Sequence, residues 1–147
     1  MRFRQLVRTV DTNNCYECMI EPNKLKAQYN PERFHFWQRL HNGPPNKVLH
    51  MRYSPHYRLL RTHTGPYRQL QKYYGRNDKW INNKIIKFID IYESIKKEGF
   101  LENISALETP LVKNKYNRGY EIYEGHHRVA IALVLGLDTI PCDIIRR

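Results

Sequence analysis

The clearest pattern in the sequence is a stripe of apolar residues between positions 78 and 99. These residues recur at steps of four, three, four and three, a spacing that places them on one face of an α-helix: Ile81, Ile85, Phe88, Tyr92 and Ile95. Gly99 follows the basic residues of "KKEG", and glycine after lysines is typical of a helix C-terminus. We interpret the stripe as the core-facing side of one long helix.

A β-hairpin is predicted after this helix. "TPLVKNK" and "YEIYE" have the composition of strands, and the turn sequence "YNRG" separates them. In the second strand, alternation puts Tyr120 and Ile122 on one face and Glu121 and Tyr123 on the other.

An apolar helix and a last strand follow the hairpin. Gly125 ends the second hairpin strand, and Gly136 closes the helix "HHRVAIALVL", which is apolar nearly all round beyond its first turn. We expect this helix to be buried. "DTIPCDII" then predicts a further strand.

The first half of the chain gives weaker signals. "KVLHMRY" predicts a strand, and "SPHYRLL" predicts a short helix that Ser54 caps and that has Pro55 in its first turn. "GPYRQLQKYYG" predicts another short helix. Residues 1–45 show no clear pattern, and the adjacent prolines of "HNGPPNK" exclude a helix where this portion ends.

Together these elements predict an α/β (α+β) fold with a small mixed sheet and flanking helices. A chain of 147 residues, 41% of them hydrophobic, is long enough for one core, so we expect residues 1–147 to form a single domain. No apolar run approaches the roughly 18 residues of a membrane helix, and the N-terminus has no apolar stretch of signal-peptide length. We therefore expect a cytoplasmic protein without a membrane partner.

The charge and the cysteines narrow the choice of partners. The formal net charge of +11 favours anionic partners, which are nucleotides, nucleic acid or an acidic surface. The three cysteines are an odd number, which favours reduced thiols over a disulfide framework. Cys15 and Cys18 have the spacing of half a zinc site, but the second half is missing, so we predict no metal site there.

The turn "EGHHR" carries the candidate chemistry. The first N–H groups of a helix lack intrahelical partners and carry partial positive charge, so a glycine turn that leads into a helix favours an anion. Gly125 would let a phosphate approach the backbone, and His126, His127 and Arg128 would add donors in the same turn. In the alternative interpretation, Arg128 forms a structural pair and the histidines bind nearby carbonyl groups.

The order of elements from "IYESIKKEGF" to "IPCDII" resembles the ParB/sulfiredoxin superfamily. In that superfamily a helix ending in Ser-Ile and a glycine leads through a strand pair to a glycine-led phosphate-binding turn, a helix ending Leu-Gly-Leu, and an Ile-Pro strand. The resemblance implies a ParB/sulfiredoxin-like core over residues 78–147.

The members of the superfamily differ at the turn. Sulfiredoxins have a nucleophilic cysteine where this chain has His126, which excludes repair of sulfinic acid by that thiol. Partition proteins of the ParB type bind CTP through Gly-x-Arg-Arg and continue into a DNA-reading region, whereas this sequence has His127 at the first of those arginines and ends at Arg147. The turn is most similar to that of the free-serine kinases, Asp-Gly-His-His-Arg, and has Glu124 in place of the aspartate.

The resemblance implies roles for the residues of the turn. Gly125, His126, His127 and Arg128 would hold the phosphates of ATP, ADP or CTP, and the histidines would stabilise charge on the transferred group. Glu124 would accept the proton of a small hydroxyl-bearing substrate or hold Mg²⁺. The resemblance also implies a nucleotide contact for Ser94, which otherwise is a serine on the surface of the helix.

Residues 33–68 are the part of the chain richest in basic and aromatic residues, and we expect some of them to complete the pocket. His56 and Arg58 are the candidates that we name from this segment.

The sequence therefore favours a nucleotide-binding domain that acts as a nucleotide-dependent phosphotransferase, a small-molecule kinase, or an NTPase. One alternative is a DNA-binding or nuclease module of the ParB type, which the net charge motivates. The other is a non-catalytic nucleotide-sensing domain.

Overall fold

A mixed β-sheet forms the centre of the protein in the computed structural model, which describes residues 15–28, 48–63, 66–99, 110–114 and 119–145. The six strands are β1 (Cys15–Ile20), β2 (Leu25–Gln28), β3 (Val48–His50), β4 (Leu111–Asn114), β5 (Tyr120–Glu124) and β6 (Ile140–Ile145). The four α-helices of the described residues are α1 (Pro55–Thr62), α2 (Tyr67–Tyr73), α3 (Asp78–Glu98) and α4 (His126–Leu135). The predicted α/β fold is confirmed.

The sheet has the strand order β1-β6-β4-β5-β2-β3. The β4–β5 pair is antiparallel, as the hairpin prediction requires, and β6 returns to lie parallel to β4. β2 lies parallel to β5, while β1 and β3 form the two edges through antiparallel pairs. The turn between β5 and α4 therefore begins at a strand that has a neighbour on each side.

The helix termini follow the predicted chemistry. Ser54 Oγ accepts a hydrogen bond of 3.1 Å from the N–H of Tyr57 at the start of α1. Asn77 Oδ1 caps α3 in the same way through the N–H of Trp80, at 2.9 Å. Gly99 ends α3 with a φ of +95°, as its position after the lysines predicted.

The core joins the sheet to α1, α2, α3 and α4. The predicted stripe on α3 is confirmed but narrow, because only every seventh residue is fully buried, namely Ile81, Phe88 and Ile95. Ile85 and Tyr92 lie half-buried at its border. α4 is buried from Arg128 to Ala132, as its apolar composition predicted.

Two residues on the same face of β5 differ strongly in exposure. Alternation put Glu121 on a face with Tyr123, yet Glu121 is 5% exposed and Tyr123 is 43% exposed. The register of the sheet places Lys26 of β2 and Lys113 of β4 on either side of Glu121. Directly opposed residues share a face of a sheet, so two lysines accompany the buried carboxylate.

The first 45 residues contribute two strands that sequence patterns did not reveal, β1 and β2. Residues 1–14 and 29–47, which include the segment 33–45 and "HNGPPNK", lie outside the described residues. Within the described part, no helix has the length and apolar character needed to cross a membrane.

Candidate functional site

The predicted turn is a sharp corner between β5 and α4. Gly125 has a φ of +101° and a ψ of 24°, a left-handed conformation that glycine adopts without strain. As the N-cap residue it provides no side chain to α4, in contrast to Ser54 and Asn77 at the starts of α1 and α3. The backbone of this helix terminus therefore receives no side-chain cap from its N-cap residue.

Close packing against Pro110 is a second reason for a glycine at position 125. A Cβ atom added at Gly125 would lie 2.8 Å from the Cα and 3.0 Å from the Cβ of Pro110. The carbonyl of Pro110 accepts a hydrogen bond of 2.8 Å from the N–H of Asp143, which holds this proline against β6. Pro110 therefore leaves no room for a side chain at position 125.

His127 lies in a cluster of rings from three helices. Its Nε2 is 2.8 Å from the hydroxyl oxygen of Tyr67. Its ring meets the ring of His56 edge-on at 4.4 Å between centroids, and that of Phe88 at 4.6 Å. α1, α2 and α3 therefore each supply one ring next to His127, and the three rings together fix its orientation.

His56 links this cluster to His126. The rings of His56 and His126 are stacked, with centroids 5.8 Å apart and an angle of 26° between their planes. His56 is only 8% exposed, and its Nδ1 is buried without a hydrogen-bond partner in the described part of the protein. A buried polar atom without such a partner is uncommon, because it lacks the hydrogen bonds of water. His56, named from the sequence as a candidate, does lie at the turn.

Burial keeps the two enclosed imidazoles neutral. Burial, with smaller effects of the charges of His126 and Lys84, lowers the pKa of His56 to about 3. Burial is also the main reason that the pKa of His127 lies well below its usual value, with smaller effects of His56 and Lys84. For Tyr67, burial raises the phenol pKa. At neutral pH, His56 and His127 therefore act through hydrogen bonds rather than positive charge.

Arg128 is buried, and single polar atoms of Glu124 and His126 are buried as well. Arg128 is 6% exposed, and its NH1 atom is buried together with Oε2 of Glu124 and Nε2 of His126. A buried guanidinium is stable only beside a carboxylate, carbonyl groups or an anion. Arg128 and Lys84 thus provide the cationic charge of this region, since His56 and His127 are neutral.

Two other predicted residues lie apart from the ring cluster. Ser94 is half-buried and is six residues beyond Phe88 on α3, or about 9 Å along the helix axis. Arg58 is two residues from His56 on α1, a step that turns it to the opposite side of the helix. It lines a separate cavity with Arg52 and Arg61. A nucleotide contact for Ser94 remains a prediction.

The cysteines lie on the edge strand β1 and on its neighbour β6. Cys18 of β1 is directly opposite Cys142 of β6, and both are free thiols. Within the described ranges, no cluster of three or more histidines, cysteines or acids has the geometry to hold a metal ion.

The chain has limited similarity to known proteins. It matches the crystal structure of the C-terminally truncated chromosome-partitioning protein ParB from Caulobacter crescentus complexed with CTP-gamma-S, with a TM-score of 0.41 and 16% sequence identity. The match covers 90% of this chain and 45% of that chain. No protein-family model matches the sequence, and no curated protein matches it.

The ring cluster predicts a dependence of stability on pH. Between its usual pKa near 6.5 and its folded value of about 3, His56 is protonated in the unfolded chain and neutral in the folded one. Stability present above pH 6.5 is therefore lost as the pH falls towards 3. The free energy of unfolding of the wild type should decrease as the pH falls from about 7 to about 5. In the His56→Asn variant, we expect this decrease to be smaller by about 2 kcal/mol.

Urea unfolding at the two pH values measures this difference. The same substitution at the exposed His63, a position with a left-handed φ of 57° that asparagine tolerates, is the matched control. If the His56 variant were as sensitive to acid as the wild type, His56 would not be held neutral by the fold.

Proposed function

We propose that the turn from Glu124 to Arg128 binds the phosphates of a nucleotide, and that the protein is a nucleotide-dependent phosphotransferase or NTPase. The observation that carries the proposal is the convergence on one helix N-terminus of a buried guanidinium and a buried neutral imidazole. Arg128 lies in the first turn of α4, and the Nδ1 of His56 is buried beside His126.

The charge at the turn suits an anion better than a cation. The N-terminus of α4 carries partial positive charge, and Arg128 and Lys84 add two full charges nearby. His126 is stacked on the neutral ring of His56, so no positive charge on that ring repels an N–H group of His126 that donates to an anion. A phosphate would receive donors from the backbone, an imidazole and a guanidinium, which is a common combination in nucleotide sites.

The nucleotides that we propose are ATP, ADP or CTP, with Mg²⁺. Magnesium in nucleotide sites is held by one or two carboxylates together with the phosphates, so it does not require a complete set of protein ligands. Glu124 is the carboxylate next to the turn, and one of its oxygens is buried there. Glu124 would hold the ion, which would neutralise charge on the phosphates.

In the alternative role, Glu124 acts on the acceptor instead of on the metal ion. It ends β5 directly before Gly125, so its carboxylate is within one residue of the phosphate donors. A carboxylate in this position can accept a proton from a small hydroxyl-bearing substrate or from water as the oxygen attacks the terminal phosphorus. The bond from that phosphorus to the bridging oxygen then breaks, and the nucleotide leaves with one phosphate fewer. His126 and His127 would donate hydrogen bonds to the phosphate oxygens, on which negative charge remains spread.

A thermal-shift panel of ATP, ADP, CTP and GTP, with and without Mg²⁺, tests nucleotide binding. A ligand at about 100 times its dissociation constant adds about 2.7 kcal/mol of stability, which corresponds to roughly 5–10 °C for a chain of this size. We expect such a shift for the wild type. We also expect Arg128→Lys, which keeps the charge and loses the planar fork, to weaken nucleotide affinity by about tenfold or more.

Arg76→Lys is the matched control, because Arg76 is an exposed arginine that stacks over the ring of Trp80 at 4.6 Å. Calorimetry on both variants, after their unfolding temperatures without ligand have been compared, separates affinity from stability. An Arg128→Lys variant that binds as tightly as the wild type would remove Arg128 from the site. The proposal itself fails if no nucleotide stabilises the wild type.

A further inference from the structure

We propose that a second site, on the side of α1 that faces away from the turn, binds a segment of single-stranded nucleic acid. The site is a cavity of about 260 Å³ lined by Arg52, Tyr53, Tyr57, Arg58, Arg61 and Thr62. It is independent of the proposed nucleotide site, because it shares no residue with the ring cluster.

Helical spacing separates the two sides of α1. His56 and Leu60 are four residues apart and are both buried on the side of the core. Tyr57, Arg58, Arg61 and Thr62 cover the other side and are half-buried or exposed. One short helix thus presents a neutral imidazole to the turn and a cationic surface to solvent.

The cavity has an excess of positive charge. Of the six described residues that line it, three are arginines and none is acidic. Among the described residues, the ion pairs join Lys24 to Glu21, and Arg68 and Lys72 to Asp78, so none involves these three arginines. Guanidinium groups gathered in a concave surface without carboxylates favour an anionic ligand, and phosphate is the anion whose geometry they match best.

The tyrosines specify the kind of phosphate ligand. Tyr53 is 52% exposed, and Tyr57 is half-buried, with its body against the core. An exposed aromatic ring beside arginines offers a stacking surface for a base, which only an unpaired strand can present. The volume of the cavity is below the roughly 300–1,000 Å³ of small-molecule pockets. The cavity is therefore better suited to one base and its neighbouring phosphates in an open strand than to a whole cofactor.

Local hydrogen bonds hold these residues in position. The N–H of Arg52 donates to Nδ1 of His50 at 3.1 Å, which orders the turn before α1. The hydroxyl of Thr62 donates to the carbonyl of Arg58 at 2.8 Å, so this hydroxyl is directed to the helix rather than to a ligand. The arginines and tyrosines are the groups that we propose to contact the strand.

Fluorescence anisotropy with labelled oligo-dT and oligo-U tests the proposal. For three phosphate contacts, the slope of log affinity against log salt is about −2, so affinity should fall about twentyfold between about 50 and 200 mM salt. Arg52→Gln with Arg61→Gln removes two exposed arginines, and should weaken binding by about tenfold and reduce the slope by about 1.4. Tyr53→Ala should weaken binding about fivefold or more, while Tyr53→Phe retains it.

Lys79→Gln with Lys87→Gln is the matched control, because it removes the same charge from exposed positions on α3. If the two double variants lose the same affinity for the oligonucleotides, binding depends on net charge alone and the proposed site is wrong. The proposal is also overturned if neither oligonucleotide binds, if the same oligo-dT annealed to oligo-dA binds more tightly, or if polyglutamate competes as well as unlabelled oligo-dT. A preference between oligo-dT and oligo-U would identify which strand the site takes.

Discussion

Glu124→Gln is expected to lower nucleotide turnover by about two to four orders of magnitude and to leave nucleotide affinity within a few-fold. Glutamine has the shape of glutamate but can neither accept the proton of an attacking hydroxyl nor bind Mg²⁺ through a charged oxygen. The phosphate donors that we propose all lie after Glu124, in the turn and in α4. Chemistry and binding should therefore separate in this variant.

Calorimetry for affinity and product release for turnover, with free serine, glycerol and water as acceptors, make the comparison. Glu93→Gln is the control, because it removes the same charge from an exposed position of α3. Normal turnover by the Glu124 variant would place the catalytic base elsewhere, in the segment before Asp78. If the wild type binds nucleotide and consumes none with any acceptor, the protein is a nucleotide-sensing domain.

Gly125→Ala is expected to reduce the free energy of unfolding by about 3 to 5 kcal/mol, a large part of the stability of a typical domain. Two effects add in this variant. A left-handed φ of +101° is strained for alanine, and the new methyl group would lie 2.8 Å from the Cα of Pro110. Pro110 cannot move away freely, because its carbonyl binds the N–H of Asp143 in β6.

Gly136→Ala isolates the first effect. Gly136 ends α4 with a φ of +69°, and a Cβ atom there would meet nothing within 4 Å, so we expect a loss of about 1 kcal/mol. Urea unfolding of both variants at neutral pH gives the difference. Equal losses would mean that the contact with Pro110 does not restrict position 125 and that glycine is needed there for its backbone conformation alone.

Local sequence patterns were sufficient for most of the helices and strands. The period of α3, the cap at Ser54, the β4–β5 hairpin and the glycines that bound α4 all depend on residues near each other in the chain, and all are confirmed. β1 and β2 were missed because their stability comes from pairing with β6 and β5, strands more than 90 residues away in sequence. Short strands of this kind carry little local signal.

The sequence by itself determined that a glycine turn with two histidines and an arginine starts a buried helix. Only the tertiary structure decided the environment of that turn. It brought His56, Tyr67 and Phe88 around His127, made two imidazoles neutral by burial, and placed Pro110 where a side chain at position 125 would stand. Burial and long-range packing produce these features, because a pKa or a steric limit depends on every residue nearby in space, whereas periodicity reports only on neighbours along the chain.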